Sequence, residues 1–273
     1  MSASDSPHVV QHEAWLPACF AALVVFAQGE GSARAGTVPD PQMPAALRAL
    51  FDRPVAVSRA VIPALNPGGP NGVVRCFRYP AFIVKEVDYG EHGDDHLAVL
   101  PLAKGSLAPA CRLEQGSVEH WLKSSSETYF IGAKGRFGLV QSTGGQDSAP
   151  FVIYDLADGS QIYGDEMRVG AVPSFVRVRG GSLSFAYERS VAASCSILSG
   201  GAACWSAMAR SAGLPGGIAH MPPPIALCRA RYFFKGSAES EPSVLSYRIL
   251  LTIDPTGQQR MRSGAVTACD PRM

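Results

Sequence analysis

The sequence lacks the short patterns by which catalytic proteins are commonly identified. It contains no G-x-S-x-G nucleophile motif, no glycine pattern of a phosphate-binding or dinucleotide-binding loop, and no C-x2-C pair of a zinc site. The histidines beyond residue 36 have no recognisable partner serine or free cysteine in a known pattern. The sequence therefore indicates no cofactor and no class of enzyme, and it favours a protein that acts by binding.

Charge is also scarce, because only 17% of the residues are charged. Removing residues 1–35 takes Arg34, Asp5, Glu13 and Glu30 from the 24 basic and 23 acidic residues, which leaves 23 and 20 and a net charge of +3. A balance so close to neutral predicts no nucleic-acid partner and no binding to an anionic membrane.

The one long hydrophobic run lies near the N-terminus. Residues 15–27 (WLPACFAALVVFA) are too few for the roughly 20 apolar positions of a transmembrane helix and are typical of a signal peptide. An A-x-A pattern follows at Ala33-Arg34-Ala35. We therefore expect a signal peptide at residues 1–35, cleavage after Ala35, export to the periplasm or medium, and no membrane span in the mature chain. Residues 1–13 contain no Lys or Arg, unlike a typical signal peptide, so the true translation start stays open.

Cysteine usage supports export independently. Cys19 lies in the predicted signal peptide, and the remaining six cysteines form an even set: Cys76, Cys111, Cys195, Cys204, Cys228 and Cys269. An oxidising compartment would join them as disulfides. Because closing a short loop loses the least chain entropy, we predict pairs between near neighbours, 76–111, 195–204 and 228–269.

The mature chain is interpreted as a leader followed by one domain. Residues 44–51 have the spacing of a short helix, and the Pro- and Gly-rich residues 63–72 end any regular structure, so the leader is placed at residues 36–75. A single β-rich domain is placed at residues 76–273. Its first strand is predicted over residues 76–89, with Pro80 marking an edge or a bulge, and its second over residues 96–102.

The most regular region, residues 127–189, is predicted to form consecutive β-hairpins. Tight turns are expected at Lys134-Gly135 and at residues 157–160, where Asp-Gly supplies a positive φ. A third, two-residue turn is expected at Gly180-Gly181. This turn predicts two cross-strand pairs on a buried face and two solvent-facing arginines between them: Val178 with Leu183, Val176 with Phe185, and Arg177 and Arg179.

Regular periodicity is lost over residues 190–227, where we expect irregular chain with one helical turn at residues 205–210. A long excursion of this kind is commonly functional or covers a sheet edge. Strands are predicted again at residues 229–235 and 244–254. The second of these alternates strictly, with five apolar residues on one face: Leu245, Tyr247, Ile249, Leu251 and Ile253.

The segment Tyr154-Asp-Leu-Ala-Asp-Gly-Ser-Gln-Ile162 resembles the outer hairpin of a β-propeller blade. Blades of roughly 40–45 residues would demand about 20 strands from the mature chain, and about ten are predicted. Residues 76–80 (CFRYP) and 203–205 (ACW) are similar to uncharacterised exported bacterial β-rich proteins, a likeness that implies no activity. The predicted fold is all-β, an antiparallel meander of about ten strands in a sandwich-like, disulfide-stabilised domain, with a closed β-propeller less favoured.

The densest set of metal-capable side chains is Glu91-His-Gly-Asp-Asp-His96. His92 and His96 could lie on one side of a curled loop, and Asp94 or Asp95 could complete a zinc or calcium site. Turn chemistry alone also favours Gly, Asp and His at a solvated hairpin tip, so both interpretations stay open.

Carboxylates for acid–base chemistry are also available, at Glu127, Asp155, Asp158, Asp165 and Glu166. A glycosidase needs two carboxylates that face one cleft. Roles in a turn or at the end of a strand account for Asp158, Asp165 and Glu166 equally well.

Four further residues are candidates for ligand binding: His120, Trp121, Trp205 and His220. His120-Trp121 lies between predicted strands, where an exposed Trp would be a recognition anchor and a buried Trp is equally consistent with the sequence. The function predicted from the sequence is that of an exported binding protein whose partner is a polysaccharide, a cell-wall fragment or a protein. Two alternatives stay open: a secreted hydrolase with a site between residues 91–96 and 190–227, and a structural envelope protein.

Overall fold

The computed structural model describes residues 45–64, 68–89, 94–105, 109–113, 118–122, 128–142, 144–145 and 147–272. This part of the chain consists of two antiparallel sheets and a group of helices, and neither sheet is closed into a barrel. The predicted antiparallel, disulfide-stabilised all-β fold is confirmed. The described residues contain thirteen strands, more than the sequence suggested.

The first sheet, sheet A, has five strands in chain order, each antiparallel to the next. They are β1 (Ala56–Ile62), β2 (Gly72–Arg78), β3 (Phe82–Asp88), β4 (Asp94–Pro101) and β5 (His120–Leu122). The segment predicted to be a leader supplies β1, and the predicted boundary at residue 76 falls inside β2.

The second sheet, sheet B, follows the strand order β13-β12-β11-β9-β8-β7-β6, and β10 pairs with β11 beside this path. Its strands are β6 (Thr128–Lys134), β7 (Phe137–Ser142), β8 (Ser148–Asp155), β9 (Ser160–Arg168), β10 (Phe175–Arg179), β11 (Ser182–Ala192), β12 (Ser243–Ile253) and β13 (Gln259–Pro271). Four helices complete the described fold: α1 (Ala45–Arg48), α2 (Ile197–Ser211), α3 (Gly216–Ala219) and α4 (Ile225–Lys235). Helix α2 is broken at Gly201, whose φ of 52° is not helical.

Sheet B separates two apolar cores. On its outer face, β6–β8 pack against sheet A through side chains such as Val84, Val99 and Tyr154. On its inner face, the strands pack against α2, α3 and α4 in the largest core of the described chain. A third, smaller core lies on the other face of sheet A, beside the Cys76–Cys111 disulfide.

The hairpin predicted at Gly180-Gly181 forms with the expected register. Both glycines have the positive φ that this turn requires, 57° and 78°. Val178 pairs with Leu183 and Val176 with Phe185, while the intervening arginines are exposed. The alternation in β12 is also confirmed, because its five predicted core residues are at most 2% exposed.

All three predicted disulfides are present: Cys76–Cys111, Cys195–Cys204 and Cys228–Cys269. The first ties β2 to the segment after β4, the second fastens the start of α2, and the third joins α4 to β13. Each bond therefore closes a connection between neighbouring elements, which is why the prediction from loop entropy succeeds.

The single strand predicted over residues 76–89 is wrong, because β2 and β3 form a hairpin there. The amide of Tyr79 donates to the carbonyl of Phe82 at 2.8 Å, so Pro80 lies in the turn between the strands. Proline has a fixed φ and no N–H to donate, which suits a turn better than a strand interior.

The strand predicted over residues 229–235 is also wrong, because these residues form the second half of α4. Cys228 and Tyr232, four residues apart, are its buried side chains, whereas Phe233 and Phe234 are exposed. The aromatic content suggested a strand, but the burial follows a helical period. The predicted irregular segment 190–227 likewise contains the end of β11 and the helices α2 and α3.

Candidate functional site

The outer face of sheet B carries a polar cleft beyond the strands that sheet A covers. The cleft has a volume of about 130 Å³ and lies among β9, β11, β12, β13 and the end of α4. Its polar lining residues are Asp147, Arg168, Ser190, Lys235, Ser246 and Asp270. We call it the Asp270 cleft.

The pairing of the strands brings these residues together. Ser190 of β11 lies opposite Ser246 of β12, and Val244 of β12 lies opposite Asp270 of β13. Paired residues project from the same face of a sheet, so all four belong to the outer face. Six separate segments of the chain contribute to one cleft: the residue before β8, β9 with its end, β11, the end of α4, β12 and β13.

Asp270 is the centre of an ion network in this cleft. Its carboxylate contacts Arg168 Nη2 at 3.0 Å, Arg231 Nε at 2.8 Å and Lys235 Nζ at 3.8 Å. Arg168 also contacts Glu188 at 3.4 Å. A guanidinium has five N–H donors, so each arginine keeps donors that these carboxylates do not use.

Two serine hydroxyls form the floor of the cleft. Ser190 is 2% exposed, and its Oγ donates to the carbonyl oxygen of Asp147 at 3.0 Å, while the Asp147 carboxylate contacts Arg272 at 2.7 Å. Ser246 is 1% exposed, and its Oγ has no hydrogen-bond partner among the described residues. The floor thus contains one satisfied and one unsatisfied buried hydroxyl.

The size of the cleft limits what it can hold. A volume near 130 Å³ is close to the roughly 150 Å³ of a protein cavity that admits a benzene ring. The volume is therefore of the order of one six-membered ring, and Arg168, Lys235 and Ser246 are among the residues that line it.

A second group of side chains, on sheet A, includes two residues singled out from the sequence. The rings of His96 and Trp121 meet edge to face, with their centroids 5.2 Å apart. The ring of Tyr89 also meets His96 edge to face, with a centroid distance of 6.1 Å. Lys85 Nζ lies 5.6 Å from the Trp121 ring and contacts Glu119 at 2.5 Å. Because Lys85 and Glu119 are almost fully buried, each neutralises the other beneath the ring pair.

The predicted metal set is only partly described. Glu91 and His92 lie outside the described residues, and Asp94 and Asp95 are the first two backbone positions of β4. The described residues contain no group of three or more His, Cys, Asp or Glu side chains arranged to hold a metal ion. The metal site at His92, Asp94, Asp95 and His96 stays a prediction.

The other predicted binding residues lie apart from one another. His120 is exposed on the face of β5 opposite Trp121 and lies against Gly159 of the β8–β9 turn. Trp205 is 4% exposed, and its indole N–H donates to the carbonyl of Met221 at 2.9 Å, so it belongs to the core. His220 is an exposed residue at the end of α3.

The candidate acid–base carboxylates do not meet in one cleft. Glu127 lies outside the described residues. Asp155 contacts Arg136 at 3.3 Å, and Glu166 accepts a hydrogen bond from Ser148 at 2.7 Å. Hydrogen bonds from Ser160 lower the pKa of Asp158, which serves the turn as the sequence suggested.

Asp165 faces the inner core and is held by its neighbours. Tyr163 and Tyr187 both donate hydrogen bonds to its Oδ2, and Arg189 Nε contacts its Oδ1 at 2.9 Å. Burial, reinforced by the Asp165 charge, raises the pKa of both tyrosines. The hydroxyls therefore stay protonated as donors at neutral pH, and the group serves the core as a satisfied polar network.

Sequence reasoning missed most residues of the Asp270 cleft and the two most exposed aromatic rings. Phe233 and Phe234, on the helix that supplies Arg231 and Lys235, are 88% and 80% exposed. The four-residue spacing of Cys228 and Tyr232 was the available signal for that helix.

Comparison with protein-family models and with curated proteins finds no match. Among the described residues, no helix has both the length and the apolar character needed to cross a membrane.

Proposed function

We propose that this protein is an exported binding protein that holds one sugar unit of a polysaccharide in the Asp270 cleft. The observation that carries the proposal is the buried hydroxyl of Ser246, which has no partner among the described residues. A buried polar group without a partner costs about 1–3 kcal/mol. The Oγ is covered by its neighbours in the structure, so a ligand hydroxyl or carboxylate that displaced this cover and paired with Ser246 would recover that free energy, which supports a polar ligand at this position.

The mixture of charges favours a sugar over a simple ion. Arg168 and Lys235 can donate hydrogen bonds, while Asp147 and Asp270 can accept them. A small anion would meet the two carboxylates, and a small cation would meet the arginine and the lysine. Sugar hydroxyls both donate and accept, so they suit a cleft that offers both kinds of partner.

Binding is favoured over hydrolysis by the state of the cleft carboxylates. Arg272 contacts Asp147, and three cations surround Asp270. A glycosidase needs two carboxylates that are free to face the bond to be cleaved, and both of these carboxylates already contact cations of the protein. The hydrolase alternative required a site between residues 91–96 and 190–227. Its described parts do not face each other, because His96 lies on the far face of sheet A and α2 lies on the inner face of sheet B.

Export is supported by the three disulfides, which form in oxidising compartments and are rare in the cytosol. The predicted signal peptide lies outside the described residues, so export rests on the disulfides and on the sequence pattern together.

The test is a glycan array followed by calorimetry with a bound oligosaccharide, using the purified protein and its Ser246→Ala variant. We expect Ser246→Ala to weaken binding about tenfold, because it removes a buried hydrogen bond to the ligand. The exposed Ser58 of β1, changed to alanine, is the matched control and should bind as the unmodified protein does. The proposal would be overturned if the protein bound no glycan of the array, or if Ser246→Ala bound the oligosaccharide with the same affinity as the unmodified protein.

A further inference from the structure

Past the Asp270 cleft, the outer face of sheet B is crowded with arginines. Directly paired residues of β10, β11, β12 and β13 form two successive rows across the sheet. One row is Arg177, Ser184, Thr252 and Arg260, and the next is Phe175, Ala186, Leu250 and Arg262. Arg179 extends the face along β10, and Arg248 along β12.

All five arginines of this face are exposed: Arg177, Arg179, Arg248, Arg260 and Arg262. Within the described part of the chain, none of them forms an ion pair. We call these residues the arginine face.

Two acidic side chains lie at the arginine face. Glu188 lies opposite Arg248 in the pairing of β11 with β12, and its carboxylate contacts Arg168 at the border of the Asp270 cleft. Asp254, in the β12–β13 turn, accepts hydrogen bonds from Thr256 and from the amide of Gln258, and the charge of Arg260 helps to lower its pKa. Five arginines therefore face two carboxylates, and each carboxylate has other partners besides an arginine of the face. The arginine face therefore has a strong local positive charge on a chain whose overall charge is close to neutral.

An ordinary solvent-facing sheet surface would mix charges of both signs. Arg177 and Arg179 lie two residues apart on β10, and Arg260 and Arg262 lie two residues apart on β13, so each pair projects from one face of its strand. Charges of one sign placed this close together repel each other. An anionic ligand would supply the missing counter-charge.

We propose that the arginine face binds an anionic polysaccharide whose chain continues from the Asp270 cleft, a deepening that rests on the proposed function. Both sites lie on one face of β12. From Ser246 at the cleft to Thr252 in the arginine face is six residues, or roughly 20 Å of extended strand. A linear chain with one unit in the cleft would therefore pass over Arg248 and reach Arg260 and Arg262.

The chemistry of the face favours a carboxylate-bearing glycan over other polyanions. The planar guanidinium matches a carboxylate in a bidentate geometry, and hydroxyls of Ser184 and Thr252 lie between the arginines. A nucleic acid would call for a series of exposed rings on which bases stack, and Phe175 is the aromatic side chain in these rows. A membrane would call for protruding apolar side chains, whereas Phe175 and Leu250 are only 40% and 38% exposed.

The test measures binding of fluorescently labelled polygalacturonate, a linear uronate polymer, by anisotropy over a range of salt concentrations. The variant is Arg260→Glu/Arg262→Glu, on an exposed edge strand where a change of charge should leave the core intact. The control is Arg59→Glu/Arg229→Glu, an equal charge change at exposed positions on β1 and α4.

We expect the arginine-face variant to lose at least about tenfold in affinity and to lower the slope of log K against log salt by about 2, while the control stays close to the unmodified protein. Equal losses in both variants would mean that only net charge matters and would overturn the proposal. So would the absence of polygalacturonate binding at low salt, or binding confined to phosphatidylglycerol vesicles or to single-stranded DNA.

Ser246→Ala separates this proposal from the function assigned to the cleft. If Ser246→Ala binds polygalacturonate normally while Arg260→Glu/Arg262→Glu does not, the arginine face is a polyanion site and the cleft assignment fails. If Ser246→Ala weakens binding and the arginine variant does not, the cleft stands and the arginine face is excluded.

Discussion

The two faces of β12 carry very different residues. The inner face carries five residues that are at most 2% exposed: Leu245, Tyr247, Ile249, Leu251 and Ile253. The outer face carries the exposed side chains of Arg248 and Leu250, and the buried hydroxyl of Ser246. Alternation thus assigns the core to one face and the proposed ligand contacts to the other, and Ser246 is the position where burial and a proposed contact coincide.

The largest effect should come from a change that damages both faces at once. The Cys228–Cys269 disulfide joins α4 to the inner face of β13, next to Asp270, and α4 also supplies Arg231 and Lys235 to the cleft. With a separation of 41 residues, its loss should lower the free energy of unfolding by about 4 kcal/mol. We expect urea unfolding of Cys228→Ala/Cys269→Ala to show this loss, together with weaker ligand binding.

The short Cys195–Cys204 disulfide is the matched control for that experiment. Its separation of nine residues predicts a smaller loss, about 2.5 kcal/mol, from Cys195→Ala/Cys204→Ala. A larger loss from the short bond than from the long one would contradict the loop-entropy account of both.

A smaller and cleaner contrast comes from two adjacent leucines of β12. Leu251 is 0% exposed on the inner face, and Leu250 is 38% exposed on the outer face. Leu251→Ala should lower the free energy of unfolding by about 2–5 kcal/mol, because it leaves a cavity in the largest core. Leu250→Ala should change it by no more than about 0.5 kcal/mol. Similar losses in urea unfolding would show that the two faces do not divide these roles.

The inner face could be predicted from the sequence because its signals are local. The alternation of β12, the Gly180-Gly181 turn and the near-neighbour cysteines each depend on residues close together in the chain. The exceptions are also local in origin. Residues 229–235 contain a Tyr-Phe-Phe run that favours a strand by propensity, but burial of Cys228 and Tyr232 against the core selects a helix.

The two surfaces proposed to bind ligand could not be predicted in the same way. Asp147, Arg168, Ser246 and Asp270 are far apart in the sequence and meet only because β9, β11, β12 and β13 are neighbours in sheet B. The arginine face has the same origin, since Arg177 and Arg260 share a row only through the pairing of four strands. A near-neutral net charge conceals such a patch, because composition carries no information about pairing.

Ser246 itself should respond in opposite directions in stability and in binding. Ser246→Ala removes a buried hydroxyl that has no partner among the described residues, so we expect the free energy of unfolding to stay unchanged or rise by up to about 1 kcal/mol. Ser190→Ala, its cross-strand partner, removes a hydrogen bond to Asp147 and should lower that free energy by about 1 kcal/mol. A destabilised Ser246→Ala variant in urea unfolding would mean that its hydroxyl is already satisfied in the folded protein.

The smallest change in the free energy of unfolding is expected at the far end of the inner core, where Phe51 packs against Gly132. The next residue, Asp52, holds Phe51 in place through its contacts with Lys134 and Gly135. Burial raises the pKa of Asp52, but hydrogen bonds from Lys134 and from the amide of Gly135 outweigh it and hold the pKa below the ordinary value of 3.8. A carboxylate with a lowered folded pKa stabilises the protein above the unfolded pKa, and this contribution is lost as the pH falls through the folded pKa. Because the side chain is 43% exposed, Asp52→Asn should lower the free energy of unfolding at pH 7 by less than about 1 kcal/mol.

Urea unfolding of the unmodified protein and of Asp52→Asn at pH 7, 4 and 3 would test this sign, since the difference between them should shrink on acidification. Leu251→Ala is the control, because an apolar cavity has no proton to gain and its loss should be nearly the same at each pH. If the Asp52→Asn difference were also constant, the attachment of Phe51 would depend on packing alone.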